Sequence, residues 1–347
     1  MDKYIKILKQ ELIGLFSLQK SDRTWELPLT AALATGLPVF LAIYLGHIEY
    51  GLISSLGGMI FLYTPTSTLL YHRFWTMICA TGGISFCYLV GLLSHSLEYS
   101  LIIVFTLMTF AILLICRFFR LGPPGGLFFI IALSIGTNTN VAISQIPFNV
   151  GMMVLGALFA SLLAMFYSVF MLRKKKGKLS TPSLNYDFNY VIRESLIIAL
   201  FVGIAVFFSK FFDLKNYYWV SVSCLIVLQQ TKFRDVFSKI LHRVLGTMIG
   251  GGVAFLILFP LLNGWGIAIA IMLLMFIVEY FITRNYALAV IFITLLTMLQ
   301  AEANHLILES ANFNLYSMAF SRFIDVLLGC FIGLIGGYVI HKRLFKV

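Results

Sequence analysis

Long apolar runs with few charges alternate with short polar stretches along the whole chain. Each run reaches or approaches the about 20 apolar residues that a helix needs to cross a bilayer. The shorter runs need neighbouring helices to shield their ends from lipid. The pattern predicts an all-α integral membrane protein with about twelve transmembrane helices, at residues 27–46, 50–64, 74–94, 98–117, 123–138, 148–172, 190–211, 217–230, 241–262, 264–283, 285–300 and 313–340.

The sequence around one His-Arg pair occurs twice. Residues 72–78 read HRFWTMI and residues 242–249 read HRVLGTMI, and each copy lies where a polar loop runs into an apolar helix. Six predicted segments belong to each copy, and an even number brings both blocks into the membrane in the same direction. We therefore predict two parallel six-helix repeats, residues 27–172 and residues 190–347, related by a pseudo-two-fold axis along the membrane normal.

Two polar segments flank these predicted repeats. Residues 1–26 carry apolar positions at helical spacing among lysines, which predicts an amphipathic cytoplasmic segment lying on the inner leaflet or packed on the bundle. Residues 173–189 form a basic cytoplasmic linker that is too short to fold as a domain. The first apolar run begins near Leu27 with no cleavage-site pattern after it, so we expect that run to anchor the mature protein.

Composition supports a membrane protein and excludes a soluble one. The chain has 347 residues, of which 60% are hydrophobic and 11% charged, and its mean hydropathy is +0.96. The net charge of +11 does not indicate nucleic acid, because the positive side chains fall on one side of the predicted membrane. With both termini in the cytoplasm only Lys210 and Lys215 face outward, and Arg322 is counted provisionally with the inner set.

No pattern typical of catalysis is present. The five cysteines lie inside apolar segments without a close pair, which is typical of small hydrophobic side chains. The six histidines have no metal-ligand spacing, and no phosphate-binding glycine loop or hydrolase motif occurs. We expect neither an enzyme nor a metal or cofactor.

Short or interrupted segments at matching places in the two halves are the sequence signal for a transport site. Segments 2 and 8 are short and end in polar runs, and segment 5, which pairs with segment 11, opens with the glycines and prolines of residues 122–126. The polar ends offer uncharged hydrogen bonds to a substrate, or are satisfied by neighbouring helices. The candidates on this path are Thr66, Ser67, Gln229 and Gln230.

Arg73 and Arg243 are the strongest candidates for binding an anion. Each is predicted to begin a helix whose first turns are rich in glycine, and an arginine at such a place can hold a carboxylate through two hydrogen bonds. Two of them near a pseudo-two-fold axis would attract anions. The alternative is anchoring by the positive-inside rule with snorkelling side chains.

Charged and aromatic side chains elsewhere offer further candidates. Arg322 and Asp325 share one face of segment 12 in the outer half of the membrane, as a coupling pair or a structural salt bridge. Glu279 is either a proton carrier or part of a surface pair at the lipid boundary. Tyr218 and Trp219 open segment 8 at the outer interface, where an aromatic belt is the default and stacking on an aromatic substrate the alternative.

Three elements in order carry a family resemblance: Tyr218-Trp219, Arg243-x-x-Gly246-Thr247-x-x-Gly250, and Arg322-x-x-Asp325-x-x-x-Gly329. Together they resemble the fusaric-acid-resistance-like family and the related aromatic acid exporters, and the superfamily also looks like the plant aluminium-activated malate channels. The resemblance implies a bacterial inner-membrane protein that handles organic anions, aromatic carboxylates among them. It also marks Gly246, Thr247 and Gly250 as a helix-packing motif. The chain departs from the family in its short linker and in the first half, which has no glycine before Thr76.

The function expected from these features is gradient-driven export of organic anions. A passive anion channel of the same architecture and an envelope-associated membrane protein without a substrate are the alternatives. The expected partners are the lipid bilayer and a small organic anion, without nucleic acid. The sequence leaves a homo-oligomer and a periplasmic adaptor open.

Overall fold

The computed structural model describes residues 18–21, 23–65, 69–95, 100–174, 187–214, 218–230, 232–258, 263–308 and 315–344. Twelve α-helices follow one another over these residues, with short 3-10 helices at Met59–Tyr63 and Ile143–Gln145. They are α1 (Glu26–Tyr44), α2 (Ile48–Gly58), α3 (Leu70–His95), α4 (Leu101–Phe118), α5 (Leu127–Asn138), α6 (Ile146–Lys174), α7 (Phe188–Phe211), α8 (Tyr218–Leu228), α9 (Phe233–Leu258), α10 (Gly264–Phe281), α11 (Tyr286–Leu308) and α12 (Leu315–Leu344).

Seven of these helices are long and apolar enough to cross a membrane by length and composition: α1, α3, α4, α6, α7, α10 and α12. The second helix with its 3-10 turn, α5, α8 and part of α11 are shorter apolar helices. Large apolar side chains such as Leu107, Phe166 and Phe331 are exposed on the outside of the bundle, where lipid can cover them. The chain is therefore a multi-pass membrane protein in contact with the bilayer.

The predicted segments correspond to the helices in order, but their ends differ. The helix α9 begins at Phe233, eight residues before the predicted start at residue 241. Its first two turns are held by packing, since Val236 is fully buried and approaches Gly337 of α12. Conversely, α5 begins at Leu127 rather than at residue 123, because residues 122–125 form a turn in which Gly125 has φ +60°.

Helix packing follows one scheme in the first six helices and recurs in the last six. In the first six, α2 packs on α1, α6 packs on α1, α2 and α3, and α3 also packs on α5. In the last six, α8 packs on α7, α12 packs on α7, α8 and α9, and α9 also packs on α11. Between the two sets, α1 packs on α10 and α4 packs on α7, while α2 meets α11 and α5 meets α8.

Small residues let the central helices approach closely. A Cβ added at Gly156 of α6 would clash with the backbone of Ser54 in α2, and one at Gly329 of α12 would clash with the backbone of Val220 in α8. Backbones packed this closely gain many van der Waals contacts, which drive helix association in lipid. The two contacts fix α2 and α8, the two short helices, against the long helices α6 and α12.

Candidate functional site

A cavity of about 1910 Å³ lies among the helices. Most of its lining residues come from the first turns of odd-numbered helices, the last turns of even-numbered helices and the segments that connect these ends, as Arg73 on α3 and Glu279 on α10 illustrate. Consecutive helices joined by short connections run antiparallel, so these ends gather at one face of the bundle. The cavity therefore opens at that face, which we call the basic face.

The lining carries a large excess of positive charge. Among the described residues that line the cavity, seven are Lys or Arg and two are Glu. The cationic ones are Arg23, Arg73, Arg117, Arg120, Lys232, Lys239 and Arg243. Both acidic residues are paired, Glu279 with Arg23 at 2.6 Å and Glu194 with Arg117. The described lining therefore has five more cationic than acidic residues, and low-dielectric walls strengthen the field that this excess creates.

Arg243 lies deep in this cavity with its side chain almost completely buried. It lies ten residues after the start of α9 and not at the helix start that we predicted, because α9 extends further towards the basic face. Its Nε donates a hydrogen bond of 3.1 Å to Oγ of Ser223 on α8. It also reaches the hydroxyl of Tyr286 on α11. Contacts to α8 and α11 therefore fix its guanidinium group.

Arg73 lines the same cavity from the first turn of α3, close to the predicted helix start. Its side chain is buried, with 1% of its surface exposed, and it lies beside Tyr167 of α6. The two arginines of the duplicated His-Arg pair thus line one cavity from the two halves of the chain. The anchoring alternative placed these side chains at the lipid boundary, and the structure differs from it because both are buried.

The polar ends of the short helices also reach the cavity. Gln229 and Gln230, which follow α8, both line it, and Nε2 of Gln230 donates to the Ile226 carbonyl oxygen at 3.1 Å. At the matching end of α2, Thr64 and Pro65 line the cavity. The predicted path residues Thr66 and Ser67 lie outside the described residues. The cavity wall at both places offers uncharged hydrogen-bonding groups.

The far end of the cavity is aromatic and uncharged at its surface. Trp219, Thr297 and Gln300 line it there. Gln300 lies fourteen residues after Tyr286 on α11, which at about 1.5 Å per residue puts it about 21 Å deeper along the helix axis. That distance takes the cavity well into a hydrocarbon layer of about 30 Å.

Arg322 of α12 lies behind the lining residues at this end. Its guanidinium lies 3.6 Å above the ring of Trp219 and donates a hydrogen bond to Thr297 Oγ1. Arg322 and Asp325 are both buried, one turn apart on α12. Tyr218 and Trp219 are also buried, so the predicted aromatic belt is wrong. A belt residue lies at the lipid interface, whereas Trp219 stacks under an arginine inside the bundle.

Glu279 faces the cavity and not the lipid. Its side chain is buried and accepts a hydrogen bond from Arg23 Nη1, which comes from the segment before α1. The surface-pair interpretation of Glu279 is therefore wrong, because a surface pair would leave the carboxylate exposed. The pair joins the start of α1 to the end of α10 across the rim of the cavity.

The helix-packing motif lies where α9 crosses α11. A Cβ added at Gly250 would lie 2.7 Å from the Ile291 carbonyl oxygen, and one at Gly246 would lie 2.8 Å from the Val290 side chain. Thr247 between them is buried. This close approach brings α11, with Tyr286 and Thr297, next to Arg243 on α9.

Sequence reasoning missed two lining residues beside Arg243, namely Lys239 and Tyr286. Lys239 lies one helical turn before Arg243, and its Nζ is 3.1 Å from the centre of the Tyr286 ring. The signal was present, since a Lys and an Arg four residues apart share a helix face. It was overlooked because the predicted helix began at residue 241, which left Lys239 in a loop. No group of metal-ligating side chains was found among the described residues.

Comparisons with known proteins agree with this membrane architecture. Residues 204–336 match the model of the fusaric acid resistance protein-like family. The family resemblance seen in the motifs is thereby confirmed over this stretch, which contains Arg243, Arg322 and Asp325. The chain is also similar to the uncharacterized membrane protein YvaC of Bacillus subtilis (strain 168), with 26% identity over 145 residues. That match covers 42% of this chain and only 23% of the relative's length. No solved structure matches the chain significantly.

Proposed function

We propose that this protein is a secondary, gradient-driven exporter of organic anions, aromatic carboxylates among them, in the bacterial cytoplasmic membrane. One observation carries the proposal: Arg73 and Arg243, from the two halves of the chain, line a single cavity whose described lining has seven Lys or Arg residues and only two Glu residues. A cavity with this charge concentrates anions at its mouth. Its far end, with Trp219 and apolar neighbours, suits an aromatic ring.

The proposal includes a twelve-span architecture of two parallel repeats, with the basic face in the cytoplasm. The matching packing schemes of the first and last six helices support the repeat. The location of Arg23, Arg117, Lys232 and other cations at one face supports the orientation, since such residues are enriched on the cytoplasmic side. The short helices α2 and α8 are shielded from lipid by α6 and α12, which makes short spans tolerable.

The contacts at the far end of the cavity favour a carrier over a channel. A channel needs a continuous wetted path, whereas this cavity reaches Trp219, behind which Arg322 is bound to Thr297. An anion would bind from the cytoplasm near Arg243 and leave after the helices around Trp219 rearrange. Arg322, Asp325 and Glu279 are the residues through which an ion gradient would couple to that rearrangement. A protein without a substrate has no need for buried arginines around a large cavity.

Flux through purified protein in proteoliposomes tests the proposal. Labelled 4-hydroxybenzoate is offered with and without an imposed pH gradient, to the unmodified protein and to the Arg243→Ala variant. We expect gradient-dependent flux, and a loss of roughly tenfold or more in the variant, because a hydrogen bond to a charged group contributes about 1.5–3 kcal/mol.

Arg193→Ala is the matched control. Arg193 lies on α7 with its side chain exposed and outside the cavity lining, so its removal takes away the same charge and should leave the flux unchanged. Flux that is the same with and without the imposed pH gradient would indicate a channel. If none of a panel of organic anions moves, or if both variants lose flux equally, the proposal is wrong.

A further inference from the structure

Two cationic side chains from the second half of the chain lie next to each other in the cavity wall. Lys239 and Arg243 are four residues apart on α9, so their Cβ atoms are about 5–6 Å apart on one helix face, and both line the cavity. Like charges at this spacing repel each other, and the repulsion grows as the site is removed from water. Such a pair is favourable where a third, negative partner is present at least part of the time.

Among the described residues, no acidic side chain forms an ion pair with either cation. Among the described residues, the ion pairs involve Arg23, His47, Arg117 and Lys174, and neither Lys239 nor Arg243 belongs to them. Asp235, one turn before Lys239 on α9, is exposed and is not ion-paired with it. The two acidic residues of the cavity wall are engaged with Arg23 and Arg117.

Neutral groups hold the two cations in place. The Tyr286 ring lies beneath Lys239 Nζ, and its hydroxyl is reached by Arg243, so this one side chain positions both cations. A guanidinium has five N–H donors, and the contacts of Arg243 with Ser223, through Nε, and with Tyr286 engage two of them. Tyr286 and Lys239 line the cavity along with Arg243.

We propose that Lys239, Arg243 and Tyr286 form a binding site for organic dianions, in which each cation takes one carboxylate of a dicarboxylate. A ligand with a single negative charge would leave one of the two positive charges uncompensated. The first half has no equivalent, because the residue four positions before Arg73 is Leu69. This inference rests on the proposed function, since it names the charge of the ligand that the same cavity takes.

Equilibrium competition with two probes of the same ring tests the site. Benzoate carries one carboxylate and isophthalate carries two, and each is titrated against purified protein in nanodiscs of neutral lipid, so that anionic headgroups do not compete. We expect isophthalate to bind about tenfold more tightly than benzoate to the unmodified protein. That ratio corresponds to the about 1.4 kcal/mol that one additional screened ion pair supplies.

The Lys239→Gln variant should abolish this preference by weakening isophthalate about tenfold while leaving benzoate within about twofold. Lys239→Arg should restore it. Lys232→Gln is the matched control, because Lys232 lines the same cavity but is exposed and lies apart from Arg243 along the chain. It should leave the ratio of the two affinities unchanged. Size-exclusion profiles and thermal unfolding verify that each variant folds.

The outcomes separate this inference from the proposed function. Equal affinities of benzoate and isophthalate for the unmodified protein would overturn the dianion site alone. An equal weakening of both probes by Lys239→Gln would also overturn it, because that result indicates general attraction by a positive cavity. Binding of neither probe would overturn the dianion site and the proposed anion exporter together.

Discussion

The two halves of the cavity wall are built on the same packing scheme but differ in chemistry. In the first half, Arg73 lies in the first turn of α3 beside Tyr167. In the second half, Arg243 lies almost three turns into α9, with Lys239 one turn before it and Ser223 as a hydrogen-bond partner. The same position in the scheme thus carries one cation in one half and two in the other.

The two halves of the chain also contribute unequally to the far end of the cavity. Trp219, Thr297 and Arg322 all come from the second half, and α6, the counterpart of α12, has no charged residue near its middle. Shared packing sets where side chains meet, while residue differences between the halves decide which ligand binds there. Equivalent substitutions in the two halves should therefore have different effects on stability and flux.

The largest expected difference concerns stability at the crossings of α9 with α11 and of α3 with α5. A Cβ at Gly250 would lie 2.7 Å from a backbone oxygen, whereas a Cβ at Gly83 would lie 2.8 Å from the rotatable ring of Phe129. Gly250→Ala should lower the free energy of unfolding by about 1–3 kcal/mol, because backbone cannot move aside. Gly83→Ala should lower the free energy of unfolding by less, because the ring of Phe129 can rotate.

Thermal unfolding of the purified variants measures this difference. Gly252→Ala is the control on the same helix, since nothing lies within 4 Å of its added Cβ. It should be neutral or slightly stabilising, as alanine favours helix over glycine by up to about 1 kcal/mol. Equal losses at Gly250 and Gly252 would contradict the close approach of α9 to α11.

A smaller effect is expected at the far end of the cavity. Trp219→Leu removes the ring under Arg322 and should destabilise the protein by about 0.5–2 kcal/mol, the range for a cation–π contact from exposed to desolvated sites. It should also let labelled anions leak without a gradient, because the ring separates the cavity from the far side. Trp219→Phe should retain part of the stability and part of the resistance to anion leak.

Trp265→Leu provides the comparison for that variant. Trp265 lies on α10 with about half of its surface exposed and does not line the cavity. Its loss should leave anion flux coupled to the gradient. Anion leak through the Trp265→Leu variant would contradict a role of Trp219 in preventing leak. The absence of leak through Trp219→Leu would contradict it as well.

Apolar periodicity and run length were enough to predict the order of the twelve α-helices that the structure describes. The start of α9 was not predictable from charge density, because Arg234, Asp235 and Lys239 read as a loop while burial of Val236 decides the helix. Trp219 stacks with Arg322, which lies 103 residues further along the chain. The Arg23–Glu279 pair joins residues 256 apart. No local pattern contains such contacts, so these parts of the site required the fold.

The most direct test of the account measures the charge preference inside the cavity. Ile226→Cys places a thiol on the lining, in a background in which Cys79 and Cys116 are replaced by serine; Cys79 is exposed and Cys116 also lines the cavity. Anionic and cationic thiol reagents of equal size are compared by their reaction rates at this thiol. We expect faster anionic modification, a ratio of the two rates that falls as salt rises, and a larger loss of this preference in Arg243→Ala than in Arg73→Ala. Equal rates for the two reagents, or faster cationic modification, would contradict it.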